Sequence, residues 1–154
     1  MNQIAAIEAI SKYANAPHTV ITIDDVPLDV LLNRAHPDRI PLGLVPTLLD
    51  WLTNPVERAL VWNRFLPANG NSTSAPILMC PDDCDLICTI VIAEIITESS
   101  LVWWYRIGID RSDSDDMPIS VGTTVDWLEG VGPFCFNRSD YQRCVEAFKR
   151  QDNT

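Results

Sequence analysis

Cysteine and aspartate side chains are concentrated in one short stretch near the middle of the chain. Its members are Cys80, Asp82, Asp83, Cys84, Asp85 and Cys88. Thiolates and carboxylates can bind metal ions, attack electrophiles or accept protons. This stretch is therefore the first candidate for chemistry, and its candidate pocket residues are Cys80, Asp82, Asp83 and Asp85.

The spacing of these side chains argues against a metal centre. Zinc sites usually bring cysteines in pairs about two residues apart, completed by a second pair or by histidines. Here the cysteines recur at every fourth position, and His18 and His36 are distant in the sequence. A reactive thiolate needs a cationic neighbour, whereas the neighbours here are aspartates, which disfavour it. We expect a turn that leads into a buried strand, without metal or cofactor; a ligand-binding pocket is the alternative.

A second acidic stretch runs from Asp110 to Asp116, where carboxylates alternate with other residues. A calcium loop of the EF-hand type needs glycine at its sixth position and a bidentate glutamate at its twelfth. Counted from Asp110, these positions hold Asp115 and Val121. The stretch is therefore predicted to be a solvated acidic loop.

Aromatic residues precede this loop, at Trp103, Trp104 and Tyr105. Successive residues of a strand point to opposite faces of a sheet, so the two tryptophans cannot pack into the same layer. Either the sheet is covered on both faces, or Trp104 and Arg106 lie on an exposed face and bind a partner, as Trp and Arg often do at interfaces. The candidate binding patch comprises Trp104, Arg106, Asp110, Asp113, Asp115 and Asp116.

The charge balance favours one class of partner over another. The chain has 11 basic and 21 acidic residues, which gives a net charge of −10. Nucleic-acid binding relies on Lys and Arg to neutralise phosphates, so it is not expected. An acidic surface instead favours a basic protein partner. The sequence offers no Ser-His-Asp or Cys-His motif and no glycine-rich phosphate loop, so we expect a protein that is not an enzyme.

Length and hydropathy predict a single domain over residues 1–154. Of the 154 residues 47% are hydrophobic, which is enough to build a full core. The longest apolar run, residues 86–96, is shorter than the roughly 20 residues that cross a bilayer. The N-terminus lacks the basic region of a secretory signal, and the five cysteines are an odd number. We therefore expect a cytoplasmic protein with reduced thiols and no membrane association.

Helical patterns occur at both ends and in the first half of the chain. Isoleucines recur at every third position near the N-terminus and predict an amphipathic helix over residues 2–14. Further helices are predicted over 27–35 and over 54–65, where an Asn-Pro pair marks the start. A last helix is predicted from Ser139, which begins a capping box.

Strand patterns dominate the second half. Alternating or continuous apolar runs predict strands over 18–24, 75–79, 86–96 and 101–109, with a hairpin turn over 97–100. Together with the helices, these strands predict an α+β fold. Its main feature is an antiparallel sheet with a central hairpin, packed by the N-terminal and C-terminal helices.

The second half of the chain also resembles a known group of proteins. The resemblance lies in Pro76-Ile77-Leu78-Met79-Cys80-Pro81-Asp82-Asp83, Thr89-Ile90-Val91-Ile92-Ala93-Glu94, Val125-Asp126-Trp127, Gly132-Pro133-Phe134-Cys135-Phe136 and Tyr141. The group consists of small standalone bacterial proteins of uncharacterised function, similar in size and acidity to immunity proteins of bacterial toxin systems. The resemblance implies a bacterial cytosolic protein that neutralises a toxin. It carries over no catalytic residue.

Three hypotheses of function follow from these observations. The first is a non-catalytic acidic binding protein, in its most concrete form an immunity-type inhibitor of a basic toxin domain. The second is a small ligand-binding domain or enzyme with a pocket near Cys80 and Asp85. The third is a self-associating structural protein, in which the mixed face of strand 101–109 forms a homodimer.

Overall fold

Two antiparallel sheets and three helices make up the part of the chain that the computed structural model describes, residues 1–10, 17–86, 89–112 and 120–152. The strands are β1 Ile4–Ile10, β2 Pro17–Ile23, β3 Val26–Pro27, β4 Val45–Pro46, β5 Ser72–Met79, β6 Val91–Glu98, β7 Leu101–Asp110, β8 Val125–Trp127 and β9 Phe134–Asn137. The helices are α1 Leu28–Ala35, α2 Pro55–Phe65 and α3 Arg138–Asp152. The predicted single α+β domain is confirmed.

The larger sheet is built around the predicted hairpin. Its strand order is β4-β5-β6-β7-β8, and β9 pairs with the first half of β7. Strands β6 and β7 pair from Glu98 opposite Leu101 to Val91 opposite Ile109, which confirms the hairpin. The turn is shorter than expected, because Thr97 is buried and belongs to β6. The first strand of the hairpin begins at Val91 rather than at residue 86, and residues 87 and 88 lie outside the described part of the chain.

The predicted N-terminal helix is wrong. Residues Ile4–Ile10 form β1, which pairs antiparallel with β2 from Ile4 opposite Ile23 to Ile10 opposite Pro17. Isoleucine is β-branched and favours strands, so pairing with β2 outweighs the helical spacing. The end of the predicted helix, residues 11–14, lies outside the described residues. Strands β1, β2 and β3 form the smaller sheet, in that order.

Helices α2 and α3 begin at side chains that accept main-chain hydrogen bonds, whereas α1 follows Pro27 and has no such cap. At α2 the Asn54 side chain accepts from the N–H groups of Val56 and Glu57, as the Asn-Pro pair predicts. At α3 the acceptor is Asn137, which binds the N–H groups of Ser139 and Asp140. The capping box predicted from Ser139 is therefore wrong, because asparagine, an equally good cap, comes first. Among the described residues, no helix is long and apolar enough to cross a membrane.

The core takes side chains from both sheets and all three helices, and Trp104 is among the largest of its fully buried members. The Trp104 ring packs edge-on against Phe65, Phe136 and Tyr141 at centroid distances of 6.3, 5.3 and 6.2 Å. Its indole N–H donates to the Tyr141 oxygen at 3.3 Å, and the Tyr141 hydroxyl donates to the carbonyl of Phe65. Full burial raises the pKa of Tyr141. The aromatic cluster thus ties α2, α3, β7 and β9 together.

Candidate functional site

A bulge in β7 decides which side chains reach the surface. Arg106 lies opposite Glu94, and Trp104 lies opposite Ile95, so Tyr105 is an extra residue with no partner on β6. A bulge of this kind resets the alternation of side chains along a strand. Trp104 points inward, Tyr105 and Arg106 are both exposed, and the inward alternation resumes at Ile107.

Trp104 is therefore unavailable to a partner, contrary to the binding patch predicted from the sequence. Its side chain is 0% exposed, and all its ring contacts are with the core. The alternative, a sheet covered on both faces, holds only for the face that carries Trp104, because Tyr105 and Arg106 are exposed on the other side. The neighbouring Trp103 is half-buried on the opposite face of the strand.

Aromatic side chains and one arginine lie on this opposite face in two contacting pairs. Trp103 stacks on Tyr105 with the ring centroids 5.4 Å apart. The Arg106 guanidinium lies 4.0 Å from the centroid of Trp127 and binds Glu94 at 3.0 Å. We call Trp103, Tyr105, Arg106 and Trp127 the outer aromatic face. Arg106 was predicted to belong to the binding patch, and the three aromatic residues were not.

Gly108 allows β8 to bring Trp127 into this surface. Gly108 lies opposite Trp127 in the β7–β8 pair. A Cβ atom at Gly108 would lie 2.6 Å from the carbonyl oxygen of Asp126 and 2.9 Å from the Cα of Trp127. Only glycine leaves room for this close approach. The position of Trp127 beside Arg106 therefore depends on residue 108 being a glycine, which has no side chain.

The acidic part of the predicted patch is largely unavailable or outside the described residues. Asp110 is half-buried, and its Oδ1 accepts from the N–H groups of Ser112 and Gly122 at 3.2 and 3.1 Å. Its carboxylate thus links Ser112 to Gly122. Asp113, Asp115 and Asp116 lie in the segment 113–119, which the structure does not describe.

The stretch Cys80 to Asp85 forms the predicted turn. The N–H of Cys84 donates to the carbonyl of Cys80 at 3.0 Å, and the Cys84 thiol donates to the carbonyl of Pro81 at 3.2 Å. Cys84 adopts a left-handed backbone conformation with φ of 48°. Burial raises the pKa of the Cys84 thiol, and the neighbouring Cys80 and aspartates add to the increase. The aspartates therefore act on this thiol in the direction that the sequence predicted.

Pockets that bind small ligands usually have volumes of about 300–1,000 Å³. A pocket of 530 Å³ lies beside this turn. Its described lining residues are Asn33, Pro41, Leu42, Leu44, Cys80, Pro81 and Asp82. Asp83 and Asp85 are not among them, so the structure brings together only Cys80 and Asp82 of the predicted pocket residues. Within the described ranges, no group of three or more metal-binding side chains could hold an ion. Cys88 lies outside those ranges.

One buried acid was missed at the sequence level. Glu57, in the first turn of α2, is 4% exposed, and its Oε1 accepts from the N–H of Leu86 at 3.2 Å. Its Oε2 is buried and has no hydrogen-bond partner among the residues that the structure describes. Burial raises the pKa of Glu57, and the charge of Asp85 adds to this increase. Nothing in the sequence signals this burial, because a glutamate in a first helical turn is normally exposed.

Comparisons with known proteins identify no relative of this chain. No family model, no curated protein and no solved structure matches the chain. The function of the chain is therefore inferred from its own residues.

Proposed function

We propose that this chain is a non-catalytic binding protein that engages a basic protein partner through the outer aromatic face. The observation that carries the proposal is the stacking of Trp103 on Tyr105 beside the Arg106–Trp127 pair, on an exposed sheet surface. Tryptophan, tyrosine and arginine are the residues most enriched at the energetic centres of interfaces. Rings that already stack lose little rotamer freedom on binding.

Charge supports a basic partner. The chain carries a net charge of −10. The register of β6 and β7 places Glu94 and Glu98 on the same face as Trp103 and Arg106. Complementary charge accelerates association and rejects acidic competitors. A partner with lysine or arginine around an apolar centre fits this surface.

The most specific form of the proposal is an immunity-type protein whose partner is a basic toxin domain of a bacterial system. Its support is the acidity of the chain and the resemblance carried by its second half. In this role the protein acts in the cytoplasm of a bacterium and inhibits by covering the basic surface of the toxin. It needs no catalytic group of its own.

Co-expression with the product of the adjacent gene tests the proposal. We expect the two proteins to purify as a complex, and the chain to rescue cells from that product. Replacing Tyr105 with alanine should weaken the complex by roughly thirtyfold, the effect of losing about 2 kcal/mol at an interface centre. Isothermal titration calorimetry measures this change.

Val56→Ala is the matched control, because Val56 is an exposed apolar residue on α2 with 63% exposure. This variant should bind with unchanged affinity. Equal losses in both variants, or a neighbouring gene product that neither binds nor harms cells, would contradict the proposal. A concentration-dependent dimer of the chain alone that is disrupted by Tyr105→Ala would instead assign the outer aromatic face to self-association.

The pocket beside Cys80 supports a second candidate function, the binding of a small, mainly apolar ligand. Leu42 and Leu44 supply apolar wall, while Cys80 and Asp82 supply polar groups. Binding of the neutral dye Nile red tests whether the pocket admits such a molecule. Leu42→Trp should fill the pocket and abolish the dye fluorescence while leaving partner binding unchanged. Fluorescence that persists in this variant would argue against a ligand site here.

A further inference from the structure

A groove runs along β1 on the side away from β2. It has a volume of 350 Å³, and its walls are Ile4, Ala5 and Ala6 of β1 and Asp140, Arg143, Cys144, Glu146 and Ala147 of α3. Consecutive residues of a strand point to opposite faces. Because Ala5 and Ala6 both line the groove, the groove follows the edge of the strand, where the main chain is accessible.

The hydrogen bonds at the start of β1 show which main-chain groups face this edge. Gln3 lies opposite Asp24, and its carbonyl accepts from the Asp24 N–H at 2.8 Å, so Gln3 faces β2. The N–H of Asn2 donates to the carbonyl of Cys135 on the other side, also at 2.8 Å. Residues of an antiparallel strand alternate between these two directions. The main-chain groups of Ile4 and Ala6 therefore face the groove, and those of Glu8 face the same edge of β1 beyond it.

The partner strand on this side ends just where the groove begins. β9 pairs with the residue segment before β1, at a bridge between Asn2 and Phe136, and the chain then turns at Arg138 into α3, which packs against β1. Among the described residues, no strand pairs with β1 on this side beyond that bridge. An unpaired strand edge is a template for another strand.

The charges beside the groove indicate what kind of strand would bind. Asp140 and Arg143 form an ion pair at 3.1 Å and largely neutralise each other. Glu8 and Glu146 are exposed and have no ion-pair partner within the described part of the chain. Of the described charged side chains beside the groove, three are acidic (Glu8, Asp140 and Glu146) and one is basic (Arg143), so together they carry net negative charge. A second copy of this chain, with net charge −10, would meet repulsion, whereas a basic segment would be attracted.

We propose that an extended, basic segment of another protein adds to the smaller sheet as a fourth strand at β1. It would bind the main-chain groups of Ile4, Ala6 and Glu8 and place its cationic side chains near Glu8 and Glu146. This surface is separate from the outer aromatic face, and the proposal holds whether or not that face binds a partner.

A synthetic peptide of alternating valine and lysine, about seven residues long to match β1, is the probe. Amide hydrogen exchange measured by NMR on the intact protein gives the readout. We expect the peptide to slow exchange at the amides of Ala6 and Glu8, while Ala5 and Ile7, which already bond to β2, change little. Binding without protection at Ala6 and Glu8 would overturn the proposal, as would absence of binding.

Two substitutions separate the hydrogen-bond and charge contributions. Ala6→Pro removes an edge donor without removing a bond to β2, and it should weaken peptide binding roughly tenfold. The double variant Glu8→Gln, Glu146→Gln should weaken it roughly fivefold, and a valine–glutamate peptide should not bind. If Ala6→Pro does not fold, N-methylation of alternate peptide amides removes the same bonds from the other side. Protection of Ala6 that rises with protein concentration without peptide would show that a second copy occupies the edge, and would overturn the proposal.

Discussion

The two faces of β7 carry neighbouring tryptophans in different environments. Trp104 has no exposed surface and contacts aromatic rings from both α2 and α3. Trp103, one residue earlier, stacks on the exposed Tyr105. The comparison teaches that residue type alone does not distinguish a core position from a surface position. The bulge at Tyr105 does, because it determines which of the following side chains point outward.

Replacing Trp104 with alanine should have the largest effect on stability. Removing a fully buried tryptophan leaves a cavity and an unpaired Tyr141 hydroxyl acceptor, which costs about 4 kcal/mol of the free energy of unfolding. Urea denaturation measures this loss. Trp103→Ala is the matched control and should cost less than half as much. Equal losses of unfolding free energy in the two variants would mean that both tryptophans contribute equally to stability, so that the two faces do not differ in this respect.

Gly108→Ala should come next, with a loss of about 2 kcal/mol. The added methyl group would collide with the main chain of β8, so the strand must move or detach. Tryptophan fluorescence and amide exchange in β8 should both report that Trp127 has left Arg106. A variant that retains β8 protection would show that the outer aromatic face tolerates a side chain at residue 108.

Glu57→Gln should stabilise the protein by about 1 kcal/mol at neutral pH, because it removes a buried charge. The folded-state pKa of Glu57 is raised, so folding takes up protons in the range between the ordinary and the raised pKa. The free energy of unfolding therefore falls as pH rises through this range. Above the raised pKa, Glu57 is charged in both states, and the full cost of burying its charge is present. Unfolding measured at several pH values should show this slope in the wild type and a weaker slope in Glu57→Gln. Glu94→Gln, on the outer face, is the control and should lack the stabilisation.

Arg106→Ala should have the smallest effect on stability, at most about 1 kcal/mol. The Arg106–Glu94 pair is solvent-exposed, and exposed ion pairs and cation–π contacts contribute little. Thermal unfolding measures this change. A loss comparable to that of Trp104→Ala would place Arg106 with the core residues and would remove the contrast between the faces.

Much of the fold could be predicted because its signals are local. The hairpin follows from two apolar runs separated by a polar turn, and α2 follows from its Asn-Pro start. The N-terminal strand could not be distinguished from a helix, since isoleucines at every third position suit both until β2 is known to pair with them. The outcome depended on contacts that are distant in sequence.

The candidate site was less predictable than the fold. The turn at Cys80 could be predicted because proline and aspartate are common in turns. The low reactivity of the Cys84 thiol could be predicted because the neighbouring aspartates are negatively charged and disfavour a thiolate. The bulge at Tyr105 has no signal in the sequence, so the strict alternation placed Trp104 on the wrong face. The burial of Glu57 depends on its contact with Leu86, which no local pattern encodes.

The extra residue at position 105 also affects how this protein can evolve. Because Tyr105 has no partner on β6, it can be exchanged without disturbing the pairing of the strand or the packing of Trp104. If the outer aromatic face binds a partner as proposed, mutations at Tyr105 would change recognition at little cost in folding. A lineage under selection to follow a changing partner would then vary this surface while selection for stability conserves the interior.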